Sequence, residues 1–393
     1  MFRPSRNRGI VITAVAIIIG FTSIVTARKG IPINKIATDS IDARLALARD
    51  MWHQGLTKDA IREIENQVEL DSTLIPQAAI ILGGNYHLVR LTNNVFADRV
   101  GGFSPSGDKL VYSRDTSLTR LDDGLFDWYE NRTTGIVYYD FELSREIIPD
   151  LPVGNAFKPR FSSDTCFYYL GGSKADLGFS GAVMLNRYYL KWGTSIQCIR
   201  LRSRHYCSYG DGVVCYQFGE NTFTKINLIE SKQDILFDND DVFTLRRSLP
   251  LVQNLSAGDD IIMFQAGHTD GRVTTNIYGI PVEGGKPRKM LDQKTTWLSK
   301  TMFYPAAVNS TEFAYLVKES GKFDIYYAKD GIEFRLTYDG GDKYYLAISP
   351  DGSRIAYSFM PTYQGVETYE IFILDFGQDA DVRDLKYRIN ILR

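Results

Sequence analysis

The feature that most constrains this chain is a short phrase written six times. Residues 102–113 (GFSPSGDKLVYS) and 347–358 (AISPDGSRIAYS) match almost residue for residue. Weaker copies align on the same serine, giving anchors at Ser104, Ser162, Ser208, Ser256, Asn309 and Ser349, separated by 58, 46, 48, 53 and 40 residues. Self-similarity at such a period signals stacked or radial repetition of one structural unit. Each copy reads mechanically. An apolar residue ends one strand, Pro presets φ and Gly accepts positive φ in a turn, and an apolar-aromatic run begins the antiparallel return.

A third strand is expected after each phrase, at 136–141, 188–192, 222–226, 277–282, 323–328 and 369–374. Residues 283–291 and 331–337 each read as a turn plus an outer strand. Four strands per unit and six units predict a six-bladed β-propeller, with a solenoid as the competing architecture. The content of 24 Tyr and 22 Phe agrees with a mainly β body. The phrase F-S-P-x-G followed by an apolar strand, with a glycine-rich turn and L-T ending near Leu336-Thr337, resembles the repeats of TolB-like propellers. That group includes periplasmic TolB and the propeller domains of prolyl-oligopeptidase-type enzymes. The resemblance runs from about residue 85 to 393, and it implies a closed ring in which residues 86–92 (YHLVRLT) complete the last blade.

Ahead of the repeats, Arg3, Arg6 and Arg8 precede an uncharged stretch at 9–27, and Arg28 and Lys29 follow it. Such a segment reads as an export signal, either an uncleaved membrane anchor or a secretory signal peptide cut near Val25-Thr26-Ala27. Cys166, Cys198, Cys207 and Cys215 then lie where disulfides are permitted; Cys207 and Cys215 flank a tight turn and are candidates to face each other across a hairpin. Residues 30–38 look like a tether. Two helices follow, one from Ser40 to a stop at Gly55 and one over 58–70, a hairpin resembling a single tetratricopeptide unit. One unit cannot bury its own apolar faces, so the hairpin is expected to lie against the neighbouring domain, with Trp52 in packing. The predicted division is leader 1–29, tether and hairpin 30–82, and propeller 83–393.

Enzymatic motifs are missing. There is no G-x-S-x-G elbow, and fewer than ten residues are expected after the last blade's outer strand, too few for a hydrolase domain. His53, His87, His205 and His268 are scattered and read as surface or packing residues. The Asp238-Asn239-Asp240-Asp241 run lacks the Gly and distal Glu of a calcium loop. With a net charge of -2 and no phosphate-binding loop, neither nucleic acid nor a nucleotide cofactor is expected. No catalytic, cofactor or metal residue is assigned.

Loop length supplies the sharpest functional expectation. The connections after the second strand are long in blades one, two and six, which closure makes consecutive. They carry Phe126, Trp128, Tyr129, Phe179 and Tyr363 with the acids Asp122, Asp123, Asp127 and Asp176, a combination suited to recognition. The sequence thus reads as a non-enzymatic, exported or membrane-anchored envelope protein, periplasmic or extracellular. Its propeller is a scaffold for a protein or glycan partner. The alternative is a propeller enzyme acting on carbohydrate or peptide through those loop acids, which would bring paired carboxylates or a metal to the channel mouth.

Overall fold

The computed structural model describes residues 31, 35–37, 41–116, 134–152, 155–172, 183–203, 205–217, 222–238, 252–268, 274–291, 301–319, 321–339, 341–360 and 368–393. The stretch at 9–27 that the sequence reads as an export signal lies outside these residues, and among the described residues no helix is long and apolar enough to cross a membrane.

Among the described residues, twenty-four strands form six antiparallel four-stranded sheets. The innermost strands are β2 (Ala97–Phe103), β6 (Asn155–Ser163), β10 (Tyr206–Tyr209), β14 (Gln253–Ala257), β18 (Thr301–Ala307) and β22 (Asp342–Ile348). The sixth sheet runs β22, β23 (Arg354–Met360), β24 (Glu370–Asp375) and β1 (His87–Arg90), in which Leu88 pairs with Leu374. The chain's first strand therefore closes its last blade, as residues 86–92 predict. Closure leaves the ring without a free sheet at its ends.

The apolar core is divided by the same symmetry, with one cluster of buried side chains between each pair of adjacent blades, the sixth and first included. On β3 (Lys109–Asp115), Leu110 and Tyr112 face the sixth blade and Val111 faces the second, all fully buried. Because a strand alternates faces, a sheet covered on both sides needs a continuous apolar run.

The anchor serines work inside the first turns. Ser104 Oγ donates to Asp108 Oδ1 at 2.7 Å and accepts from Lys109 N at 3.0 Å. In blade six, Ser349 Oγ donates to Asp351 Oδ1 at 2.6 Å and accepts from Arg354 N at 2.9 Å. Gly107 and Gly352 supply the left-handed turn residue at φ 80° and 71°. Blades four and five shift the alignment: Gly258 N to Ile261 O and Val308 N to Glu312 O make the bond that Ser104 N makes to Lys109 O, so Gly258 and Val308, not Ser256 and Asn309, hold the anchor's place. Ser256 and Ser208 bond across blade seams instead, accepting from Ala307 N and donating to Phe161 O.

Other expectations are corrected. The strand expected at 188–192 is β8 (Val183–Tyr189), and residues 190–193 form a turn. Cys207 and Cys215 do not face each other: Cys207 pairs with Val214 and Tyr206 with Cys215, which puts one thiol toward blade four and the other toward blade two. All four cysteines are free thiols. The tether is fastened, since Ile31 and Ile36 are buried against blades five and six.

The helical part holds more than a hairpin. Besides α1 (Ala46–His53) and α2 (Thr57–Leu70) there are α3 (Ile75–Ile81), with Pro near its start, and α4 (Val382–Leu392). Because β1 supplies the last blade's outer strand, the chain beyond β24 is released to form α4. Leu385 and Ile389 enter one apolar cluster with Leu45, Ala48, Ile61, Ile64 and Ala78. Trp52 meets Tyr338 of the propeller edge-on at 5.2 Å, the packing role expected of it.

Candidate functional site

Where the six innermost strands converge they wall a central channel of about 440 Å³. Each of these strands ends its sheet, so one backbone edge of each has no strand partner. The inner strands are also irregular in a repeated way. The pairing of inner strand to second strand slips at Val100/Gly102, Phe157/Arg160, Gln253/Ser256, Phe303/Ala306 and Tyr344/Ala347. In four of these bulges a non-glycine residue takes left-handed backbone: Lys158 at φ 49°, Asn254 at 52°, Tyr304 at 51° and Tyr345 at 53°. Each stands four residues before the anchor position of its blade, and all four line the channel. A left-handed backbone costs an L-residue about 1 kcal/mol, and bulges re-aim side chains beside functional sites.

The channel wall is basic. It presents Arg99, Lys158, Arg160 and His205, and among the described lining residues Asp259, exposed on a turn at one mouth, is the lone carboxylate. Lys158 Nζ lies 3.5 Å from His205 Nδ1 across the seam between blades two and three. Tyr206 Oη fixes the lysine's backbone by donating to Lys158 O at 2.6 Å. Asn254 N–H points at the same His205 Nδ1, at 3.4 Å, so that nitrogen accepts and Nε2 carries the proton. Arg160 donates from Nη1 to the carbonyls of Gly101 and Pro159, and burial lowers its pKa below the usual guanidinium value. On the far wall Tyr304 sits against Tyr345 at 5.3 Å between ring centres, and burial among these phenols pushes its hydroxyl well above the ordinary phenol value. Arg99 is paired with Asp115 at 3.4 Å and lies over the Tyr369 ring.

The residues that the sequence singles out for recognition, Asp122, Asp123, Phe126, Asp127, Trp128, Tyr129, Asp176, Phe179 and Tyr363, all lie outside the described residues. The strand ends that carry their loops are described. Asp98 N of β2 donates to Tyr369 O at 3.0 Å and Thr134 N donates to Asn155 Oδ1 of β6 at 3.2 Å, tying the return end of the blade-six loop to blade one and that of the blade-one loop to blade two. The channel residues escape sequence reasoning because no glycine marks the bulges of blades two, four, five and six. Their signal is the constant offset from the anchor, with Pro directly after Lys158 and Tyr304.

One described group gathers three possible metal-ligand atoms within 4.8 Å: His87, Asp381 and Asp384. Its carboxylates are already engaged. Asp384 accepts from His87 Nδ1 at 2.8 Å, Leu88 N and Asp381 N, while Asp381 accepts from the amides of Arg383 and Asp384 at the start of α4. The cluster is a helix cap clipped to the closing strand.

No protein-family model and no curated protein matches the chain. Among solved structures, the β-propeller domain of the Trilobed protease from Pyrococcus furiosus is 14% identical, with 71% of this chain and 81% of that chain covered and a TM-score of 0.42. An oligogalacturonate lyase in complex with manganese is 12% identical, covering 75% and 93% with a TM-score of 0.44. TolB from Acinetobacter baumannii is 12% identical, covering 69% and 67% with a TM-score of 0.42. The chain is a six-bladed β-propeller, and its neighbours among solved structures include TolB and other propeller proteins.

Proposed function

We propose that this chain is an exported envelope protein, carried to or held at the membrane by residues 9–27, whose propeller is a binding scaffold for a protein or glycan partner and not an enzyme. The observation that supports this reading is the channel wall. It converges cations and phenols on strained, fixed backbone, an arrangement suited to binding. Trp128 and Tyr129, which the sequence singles out for recognition, are part of this proposal as residues that take part in capture.

The test is site-specific cross-linking in native envelopes. A photoreactive residue at Asn254 and, separately, at Trp128 should each give a discrete adduct with the same partner. Replacing Trp128 and Tyr129 with Ala should weaken capture with little effect on thermal stability. Absence of adducts from both positions, in a chain shown to be exported and folded, overturns the scaffold reading.

A further inference from the structure

We propose, resting on the reading that residues 9–27 hold the chain at a membrane, that the propeller lies on that membrane by one face. It is the face of the serine turns, with Leu143, Trp192, Ile229 and Ile332 entering the lipid headgroup layer. The strand ends that carry the long loops then point away from the bilayer.

The fold defines the face. In every blade the amide that follows the third strand donates to a carbonyl of the serine turn, as Phe141 N does to Asp108 O and Asp330 N to Thr311 O, both at 2.9 Å. The serine turn and the exit of the third strand therefore share one end of each sheet. Leu143, Trp192 and Ile332 each stand two residues past that amide and are 55%, 64% and 56% exposed; Ile229 stands one residue past it and is 65% exposed. Single exposed apolar residues are ordinary on a protein surface. Four of them at equivalent turns of blades one, two, three and five make an apolar rim on one face, at positions where turn chemistry asks for Gly, Asn, Asp or Ser. Trp192 leans on Tyr189 at 5.1 Å between ring centres, and such amphipathic rings settle at the boundary between lipid and water.

The chain's own attachment points this face at the bilayer. Ile31, fully buried, is bound at the same end of blade five: its amide donates to Glu312 Oε1 at 3.0 Å, and its carbonyl accepts from Lys329 Nζ at 3.1 Å. Glu312 begins the second strand there, and Lys329 ends the third and pairs across the turn with Ile332. Position 31 follows position 27 by four residues, a length of chain that spans at most about 14 Å. A chain held in lipid through residue 27 thus keeps this end of blade five, with Ile332 beside it, within about 14 Å of the point where it leaves the bilayer. Charge selects the lipid. Asp108, Asp164, Asp211, Asp260 and Asp351 stand on the serine turns of the same face, so it repels an anionic headgroup layer and suits a zwitterionic one entered by apolar side chains.

The test uses the full chain reconstituted in vesicles of radiolabelled phosphatidylcholine, with a photoreactive residue placed separately at Trp192, Ile332 and Val95. Val95 is the matched control, 61% exposed and two residues before β2, whose first residue pairs with Asp115 at the other end of the sheets. Lipid adducts from Trp192 and Ile332 should exceed those from Val95 at least about tenfold, hold as salt rises, and fall when phosphatidylglycerol replaces part of the lipid. Leu143→Ser combined with Ile229→Ser should cut the Trp192 adduct about tenfold with the melting temperature unchanged, because both side chains are exposed. Equal labelling from Val95, an undiminished adduct in that variant, or no Trp192 adduct in a chain that floats with the vesicles overturns the face while the anchor stands. Adducts joining two copies of the chain in place of lipid adducts overturn the lipid and assign the rim to a second copy. A folded chain left behind when the vesicles are floated fails the anchor, and the face falls with it.

Discussion

The amide of Ile31 donates to the carboxylate of Glu312 at 3.0 Å, although the two are 281 residues apart. Tyr327 Oη donates to the same carboxylate, and Lys329 pairs with it at 3.5 Å while its amine also reaches Ile31 O at 3.1 Å. Residue 31 is thus wedged into the fifth blade. Glu312→Ala strands the Tyr327 hydroxyl without its acceptor and leaves the Ile31 amide only its 3.3 Å bond to Tyr327 Oη, and an unmade buried bond to a charged group is costly. We expect a loss of about 2–3 kcal/mol in urea unfolding, with new protease cleavage around residues 31–37. Unchanged stability and an uncut segment would show that the wedge contributes nothing.

Closure of the ring depends on a second long-range clip. Asp384, buried at the start of α4, accepts from Leu88 N at 3.1 Å and from His87 Nδ1 at 2.8 Å while completing the helix cap with Asp381. Asp384→Ala removes its half of the capping box and both bonds to β1. The expected cost is about 2–4 kcal/mol. Hydrogen exchange should show the amides of residues 87–90 losing protection before those of 354–360. Uniform loss across the blade would mean that β1 is held by the sheet alone.

The repeat, the strand order and the closing strand are legible in the sequence because turn chemistry and apolar alternation are local. Ser104 and Ser349 advertise their turns through Pro and Gly, and residues 86–92 alternate as a strand. Three things are not legible. The wedge of Ile31 lies in a short tether with no periodicity, and only the partner at Glu312 gives it meaning. Helix α4 depends on an Asp-x-x-Asp cap whose second acid is committed to His87, a partner 297 residues away. The channel wall depends on left-handed Lys158, Tyr304 and Tyr345, residue types that carry no signature of that conformation. In each case a tertiary contact overrides what local propensity announces.

The turn acids set an acid limit. Burial alone would raise the Asp108 carboxyl, but hydrogen bonds from Lys109, Ser106 and Ser104 outweigh it and hold the pKa at about 2, against an ordinary 3.8. At Asp351, burial is likewise outweighed by bonds from Ser349 and Ser353, and its pKa is lowered. A carboxyl depressed in the folded state stabilises fully above its unfolded value and loses that contribution as pH falls through the folded one. Unfolding followed by circular dichroism should therefore show stability declining between about pH 4 and pH 2. Asp108→Asn should be less stable than the parent at pH 6 and converge with it near pH 2. A constant difference across that range would remove Asp108 as a source of the acid sensitivity.

The cysteines give a readout of blade packing that needs no ligand. Burial pushes the thiols of Cys207 and Cys215 up to about 12, and burial raises that of the half-buried Cys198 as well. Since the thiolate is the reacting species, native protein at pH 8 should alkylate Cys207 and Cys215 slowly, with labelling rising sharply in denaturant. The strand register turns these two thiols to opposite faces of one sheet, so native oxidation should yield no Cys207–Cys215 crosslink on peptide mapping. Recovery of that crosslink in high yield from folded protein would require a one-residue slip between β10 and β11. Such a slip would move every side chain of β10 to the other face and break the clusters on both sides of blade three. The mapping experiment thus tests the register of the weakest repeat and, through it, the orientation of Tyr206 and His205 at the channel wall.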